Sequence, residues 1–291
     1  HSTARREACL DWNPTSFDDY PRDTWRVIIH RPTNGPLNMA IDEAIAEHVA
    51  AGVVLPTLRF YAWEPPCLSL GYGQPATDVD FSRLHMYGWD IVRRLTGGRA
   101  ILHTDELTYS VAVPEDEPRV AGGVVESYRR LSAALVHGLH ELGADVQNDQ
   151  AAEDARRFKG PICFEMPSNY EITAGGKKLL GSAQTRRDRV VLQHGALPLK
   201  GDITRICEVL AFPNEDERAN ARERILARAT TLHASLAERV SLAHAVSALM
   251  EGFCEALNLL LEESSLTPSE EARALELREE KYATDAWTNR H

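Results

Sequence analysis

The chain has 291 residues, 43% of them hydrophobic and 26% charged. This ordinary globular composition excludes disordered, collagen-like and disulfide-scaffold classes. The 32 Lys and Arg against 43 Asp and Glu give a formal charge of −11, which argues against nonspecific nucleic-acid binding.

In chain order, residues 1–24 are polar and aperiodic and read as an irregular lead-in. Trp25 to Ile29 reads as the first strand, followed by a loop marked by Pro32, Gly35 and Pro36. Asn38 can cap a helix to Ala50, with Ile41, Ile45 and Val49 four apart and Gly52 beyond its end. Leu58 to Trp63, Cys67 to Tyr72, Trp89 to Arg94 and Leu107 to Val113 read as strands. Val125 to Leu142 steps its apolar residues by three or four, an amphipathic helix closed by Gly143. Ser168 to Ile172, Lys178 to Gln184 and Val190 to Pro198 read as a meander whose first turn is Ala174-Gly175-Gly176. Helices follow at Glu215 to Ala229 and, capped by Ser241, at Leu242 to Leu260. Thr267-Pro268-Ser269-Glu270 is a capping box with Pro at the first helical position. Strands with segregated helices predict an α+β (mixed α/β) fold.

The five cysteines are scattered and include no C-x-x-C pair, so neither a metal site nor a disulfide framework is expected, and a reducing cytoplasm is. No apolar run approaches the roughly 18 residues of a membrane span, and no hydrophobic signal core opens the chain. Charge is uneven. Between Arg156 and Arg189 basic residues exceed acidic ones by five, while the stretch from Glu251 onward is net acidic. The positive stretch reads either as a solvated face or as a docking surface for an acidic partner.

Several residues can carry chemistry. Arg93-Arg94-Leu95-Thr96-Gly97-Gly98-Arg99 follows a predicted strand, and paired glycines let the backbone turn tightly against a ligand. A surface hairpin turn is the competing reading. His103 and His194 stand near these loops outside any metal-ligand spacing, open to either a structural or a proton-transfer role. Cys163 reads either as a small buried apolar group, as most cysteines are, or, beside the cationic stretch, as a thiol whose ordinary pKa of about 8.5 is lowered by neighbouring positive charge. On a strand, one of Lys177 and Lys178 faces inward, and an inward lysine needs a negative partner; two exposed hairpin lysines are the default reading for such a pair.

In the order Arg93 to His103, Asp105 to Ser110, Cys163, Gly176 to Gln184 and Gln193-His194-Gly195, these segments resemble the lipoate–protein ligase and octanoyltransferase superfamily. That superfamily shares its fold with the biotin ligase catalytic domain. The likeness is nearest to octanoyltransferases of the LipM type and runs from about Trp25 to the C-terminus. The resemblance implies a catalytic domain over residues 25–262, with mixed, largely antiparallel sheets, and a short helical tail over residues 263–291. It further implies a monomeric cytoplasmic enzyme that needs no cofactor, metal, membrane or nucleic acid. Such an enzyme moves octanoyl from octanoyl acyl carrier protein to a lysine of a lipoyl-accepting protein, such as glycine-cleavage H protein. The acyl group would pass through a thioester on Cys163, with Lys178 lowering the thiol pKa and holding the acyl carbonyl. Arg93, Arg94, Thr96, Gly97, Gly98, His103, Gly181, Ser182, Ala183, His194 and Gly195 would bind substrate. Alternatives within the resemblance are an ATP-dependent ligase, octanoyl transfer between lipoyl domains, and a noncatalytic acyl-binding module. Arg99 stands where the ligases usually carry a third glycine, which favours the transferase.

Overall fold

A computed structural model describes residues 20–149, 161–162 and 171–291. Most of the lead-in, Arg156, Arg157, Lys159, Cys163 and the start of the expected meander at Ser168 lie outside the described residues. In chain order the first half holds β1 (Asp23–Ile29), α1 (Gly35–Ala50), β2 (Thr57–Tyr61), β3 (Cys67–Leu70), α2 (Phe81–Tyr87), β4 (Asp90–Arg93), β5 (Ile101–His103), β6 (Glu106–Pro114), α3 (Val124–Glu141) and β7 (Val146–Asp149). Then come β8 (Glu171–Ala174), β9 (Lys177–Arg187), β10 (Val190–Pro198), α4 (Glu215–Arg228), α5 (Leu232–Ser235), α6 (Leu242–Leu257), β11 (Leu259–Glu263), α7 (Pro268–Leu277) and α8 (Asp285–Thr288).

Eight strands form one sheet in the order β11-β1-β2-β6-β10-β9-β8-β7, and β4-β3-β5 form a second. β1 runs parallel to both β2 and β11; the large sheet is antiparallel from β2 onward. Alternation along the central strands sends side chains to two different cores. Val27, Phe60, Val111, Val113 and Val191 join α3 and α6 on one face. Ile28, Tyr61, Ala112, Val190 and Leu192 join α1 and α7 on the other. With both faces covered, the central strands read as continuous apolar runs rather than alternating ones. A third cluster, with Leu68, Leu70, Ile162, Ile206 and Ile225, packs the small sheet against α4.

Helix α1 begins four residues earlier than the sequence suggested. Asn34 accepts from the Leu37 N–H as N-cap, and Gly35-Pro36 supplies the first turn. Asn38 is instead fully buried, its amide donating to the Thr33 and Ala62 carbonyls. The last long helix stops at Leu257 because Asn258 turns left-handed (φ 50°), and the chain continues as β11 beside β1. The capping box at Thr267 and Glu270 is present. Glu270 also reaches across to ion-pair with buried Arg26, fastening α7 to the sheet.

Beneath α1 lies a buried ionic cluster. Asp42 accepts from Arg59 Nη1 at 2.7 Å, the Tyr61 hydroxyl at 2.7 Å and Ser110 Oγ at 2.8 Å. Burial opposes the charge on Asp42, yet the Arg59 guanidinium together with His194 and the Tyr61 hydroxyl outweighs it and holds the carboxyl below its ordinary pKa. Removing one partner of such a pair leaves an uncompensated buried charge. Asp42→Ala is therefore expected to destabilise the protein by about 3–5 kcal/mol. A folded pKa below the unfolded one means this stability is present above about pH 3.9 and is lost as pH falls through the folded value. Denaturant titration at neutral pH and near pH 3 checks both points: the gap between wild type and variant narrows in acid.

Candidate active site

The two sheets enclose a cavity of about 270 Å³. Its walls come from Met39 on α1, Trp63 after β2, Ser69 on β3, the Arg94–Ile101 segment, His103 on β5, Thr108 on β6, and β9 and β10. Of the residues expected to bind or react, Arg94, Gly98, His103, Lys178, Gly181, Ser182, Ala183, His194 and Gly195 line it. Arg93, Thr96 and Gly97 are not among the lining residues.

Arg93 is spent elsewhere. Its guanidinium donates to the carbonyls of Gly71 (2.8 Å), Gln74 (2.6 Å) and Thr288 (2.6 Å), tying α8 to the loop after β3. The Trp287 indole N–H returns a bond to the Arg93 carbonyl at 2.8 Å. Arg94 shapes the glycine loop from inside. Its Nη2 donates to the Gly97 and Arg99 carbonyls at 2.9 and 2.8 Å, and its Nη1 to Ser69 O and Oγ at 3.0 and 3.1 Å. Gly98 needs its left-handed conformation (φ 94°) to make that turn. Behind it Gly71 sits so close that a Cβ there would lie 2.0 Å from the Gly98 carbonyl oxygen. Gly71→Ala therefore pushes on backbone and is expected to cost about 1–3 kcal/mol while distorting the loop. Gly73→Ala, with open space around its Cβ, is the control and should stay within about 0.5 kcal/mol in thermal unfolding.

His194 Nε2 lies 2.6 Å from Thr96 Oγ1, and its Nδ1 faces Asp42 Oδ2 at 3.6 Å. Burial pushes its pKa down despite the Asp42 charge, so the ring is neutral at pH 7. Thr96 thus acts on the site only through this histidine. His103 is fixed on both nitrogens, Nδ1 against Glu106 Oε1 at 2.5 Å and Nε2 against Ser69 Oγ at 2.8 Å. The Trp63 ring stacks on it, centroids 4.0 Å apart. Thr108 Oγ1 donates to Glu106 at 2.6 Å and accepts from the Trp63 N–H at 2.8 Å.

Lys178 is the inward lysine of its pair. It is 4% exposed, and its Nζ donates to Glu171 Oε1 at 2.5 Å, the negative partner that burial demands. Lys177 faces out and bonds the Leu226 carbonyl. The positive stretch is therefore not one continuous face: Lys178 lies in the cavity wall, and Arg186 is half-buried with its Nη2 on the Val120 carbonyl. Among the described cysteines, burial pushes the thiol of Cys67 far up and raises that of Cys254, so neither is a thiolate at neutral pH. Pro161 and Ile162, immediately before Cys163 in sequence, pair with the backbone at Ala100, and Ile162 packs in the third core cluster. The Ala100 N–H donates to the Pro161 carbonyl at 3.1 Å, and buried Ile162 bridges Ala100, whose neighbours Arg99 and Ile101 line the cavity.

Ser69, Trp63, Met39 and Thr108 were not foreseen as site residues. Each sits in an apolar strand or helix run, and only the crossing of two sheets turns them toward one space.

Two mixed sheets with helices outside, and a glycine loop and a buried lysine facing one apolar cavity, define a cofactor-protein ligase type of catalytic domain. Residues 34–254 match the model of the lipoyl protein ligase A/B catalytic domain. The chain is 39% identical to octanoyltransferase LipM of Brevibacillus brevis, over 92% of this chain and 99% of that protein. It is 44% identical to the LipM of Kyrpidia tusciae, again over 92% of this chain and 99% of that protein. Among solved structures it resembles a lipoate-protein ligase A bound with ATP at TM-score 0.75 and 28% identity, covering 91% of this chain and 98% of that one. A bipartite lipoate protein ligase from Thermoplasma acidophilum superposes at TM-score 0.78 and 27% identity, over 92% and 97% of the two chains. The chain belongs to the lipoyl protein ligase A/B catalytic-domain family and, within it, to the LipM-type octanoyltransferases.

Proposed function

We propose that the protein is an octanoyltransferase of lipoate biosynthesis that takes octanoyl from its acyl carrier protein and passes it to a lysine of a lipoyl-accepting protein such as glycine-cleavage H protein. The reaction runs in two halves through a thioester on Cys163. A thioester donor is already activated, so no ATP is needed, and exchange onto a second sulfur is nearly neutral in free energy. Attack by the acceptor lysine makes an amide, which is downhill and drives the cycle.

One observation carries this reading: a buried ammonium, Lys178, in the wall of an otherwise largely apolar cavity. An apolar cavity at the small end of the ligand-pocket range suits a short acyl chain. A cation at its wall suits the thiolate of Cys163 and the oxyanion that develops on the acyl carbonyl. Gly181 and Ser182 on β9 and Gly195, paired with Ser182 on β10, line the same cavity as Lys178 and would flank the chain, as would Arg94 and Gly98. The near-full-length likeness to LipM enzymes supports the choice of octanoyl over other acyl groups.

Incubation with octanoylated carrier protein, without ATP, tests the proposal. An octanoyl adduct seen by intact mass, removable by hydroxylamine and mapped to the peptide containing Cys163, is expected. Acceptor modification that demands ATP and persists in Cys163→Ser would overturn it.

A further inference from the structure

Transfer of octanoyl to a lysine, the reading on which this inference rests, carries a proton problem. The acceptor lysine arrives as an ammonium of ordinary pKa about 10.4 and must lose a proton before its nitrogen can attack. Lys178, ion-paired with Glu171, offers only donors. Of the two histidines in the cavity wall, His194 has its Nε2 on Thr96 and its Nδ1 toward Asp42, and neither Thr96 nor Asp42 lines the cavity. Ser69 and His103 both line it.

We propose that Ser69 and His103 form the proton relay for the aminolysis half-reaction, with Glu106 as the positioning residue. The hydrogen-bond partners fix the direction of the relay. Glu106 has a carboxylate oxygen 2.5 Å from Nδ1, so Nδ1 carries the ring proton and Nε2 is the acceptor. The Ser69 hydroxyl then donates to Nε2 at 2.8 Å. Arg94 Nη1 occupies one Ser69 lone pair at 3.1 Å. A hydroxyl oxygen has two, and among the described residues the second has no donor; with Ser69 at 0% exposure, the acceptor lysine must meet it by pressing in from within the cavity. Stacking on Trp63 and the Thr108 bond to Glu106 keep ring and carboxylate in register.

In the step itself, the acceptor ammonium donates one N–H proton to that lone pair while the Ser69 proton passes to Nε2, leaving an imidazolium braced by Glu106. The freed amine attacks the thioester carbon, and the carbonyl π electrons move onto oxygen. Collapse of the tetrahedral adduct breaks the C–S bond. The second proton lost by nitrogen goes to the departing sulfur, and the imidazolium returns its proton to solvent. An amide, a thiol and one released proton balance the reaction.

Hydroxylamine provides the test, because it is a neutral nucleophile near pH 7 and needs no base. Full-length enzyme is loaded from octanoylated carrier protein and discharged either to a lipoyl-accepting protein or to hydroxylamine. For Ser69→Ala and His103→Gln the readout is discharge of enzyme that has already loaded, with lysine discharge expressed relative to hydroxylamine discharge of the same variant, so that any effect of these cavity-wall residues on loading cancels. Their discharge to the lysine acceptor should fall by ~10²–10⁴-fold, the usual worth of a general base. Glu106→Gln keeps an acceptor for Nδ1–H but loses the charge, and should show a smaller loss confined to the lysine acceptor. Equal losses with both nucleophiles would mark the network as structural and overturn the relay, as would undiminished lysine discharge in Ser69→Ala. Failure of wild-type enzyme to load is a different result: it defeats the transferase reading, and the relay with it.

Discussion

Cys163→Ala is expected to lower octanoyl transfer by at least about 10³-fold and to abolish the covalent adduct. In covalent catalysis the nucleophile splits one hard step into two, so its removal eliminates both halves rather than slowing one. What remains is the capacity of the cavity to bind an acyl chain, so KM for the carrier should change far less than kcat. Substitution of Cys67 is the useful contrast. Its thiol is fully buried among apolar groups and pushed up in pKa, so it contributes packing rather than a thiolate. Cys67→Ala should cost stability and leave the adduct in place. Iodoacetamide labelling near neutral pH, followed by peptide mapping, gives the same discrimination without mutation: the Cys163 peptide reacts fast and the Cys67 peptide stays unlabelled in the folded enzyme. Loss of adduct in Cys67→Ala with retention in Cys163→Ala would reverse the assignment.

How far the sequence foretold this molecule depends on the range of the interaction concerned. Val190 to Pro198 read as a strand and is one over the same residues, because β10 is buried on both faces and its β-branched and apolar content is unambiguous. The capping box at Thr267 and Glu270 is equally local and is present. Helix α1 started early because Asn34 and Asn38 are both competent caps, and only the burial of Asn38 between two backbone carbonyls decides between them. Strand β11 was absorbed into the preceding helix, since Leu259 to Leu261 continue its apolar run and the left-handed turn at Asn258 leaves no apolar signature. The site shows the same division. Pattern and charge left open whether the glycine loop is a surface turn and which of Lys177 and Lys178 turns inward; it was the family resemblance that pointed to the loop and to Lys178. The two arginines could not be told apart by sequence, because Arg93 is claimed by carbonyls some 195 positions away and Arg94 by ones three to five residues on. Ser69 was invisible for the same reason: its partner His103 lies 34 residues downstream on a different strand.

Lys178→Met is expected to reduce kcat by about 10²–10³, comparable to removal of one preorganised oxyanion donor. The difficulty in reading such a variant is that Lys178 also neutralises Glu171, whose side chain is only 12% exposed. Removing one partner of a largely buried pair leaves an unpaired charge and destabilises the fold, so a loss of activity could reflect misfolding alone. A second substitution separates the two. In Lys178→Met/Glu171→Gln the stranded carboxylate is gone, and much of the lost thermal stability should return, since replacing both members of a buried pair is far less costly than removing one. Activity should not return, because the Lys178 ammonium that would face the thiolate and the developing oxyanion is still missing. Glu171→Gln alone keeps the ammonium in the cavity wall and should retain most of the activity while lowering Tm. Intact-mass measurement of adduct formation assigns the defect: both lysine variants should load slowly, whereas Glu171→Gln loads at near wild-type rate. Recovery of both Tm and loading in the double variant would show that Lys178 serves the fold and not the chemistry.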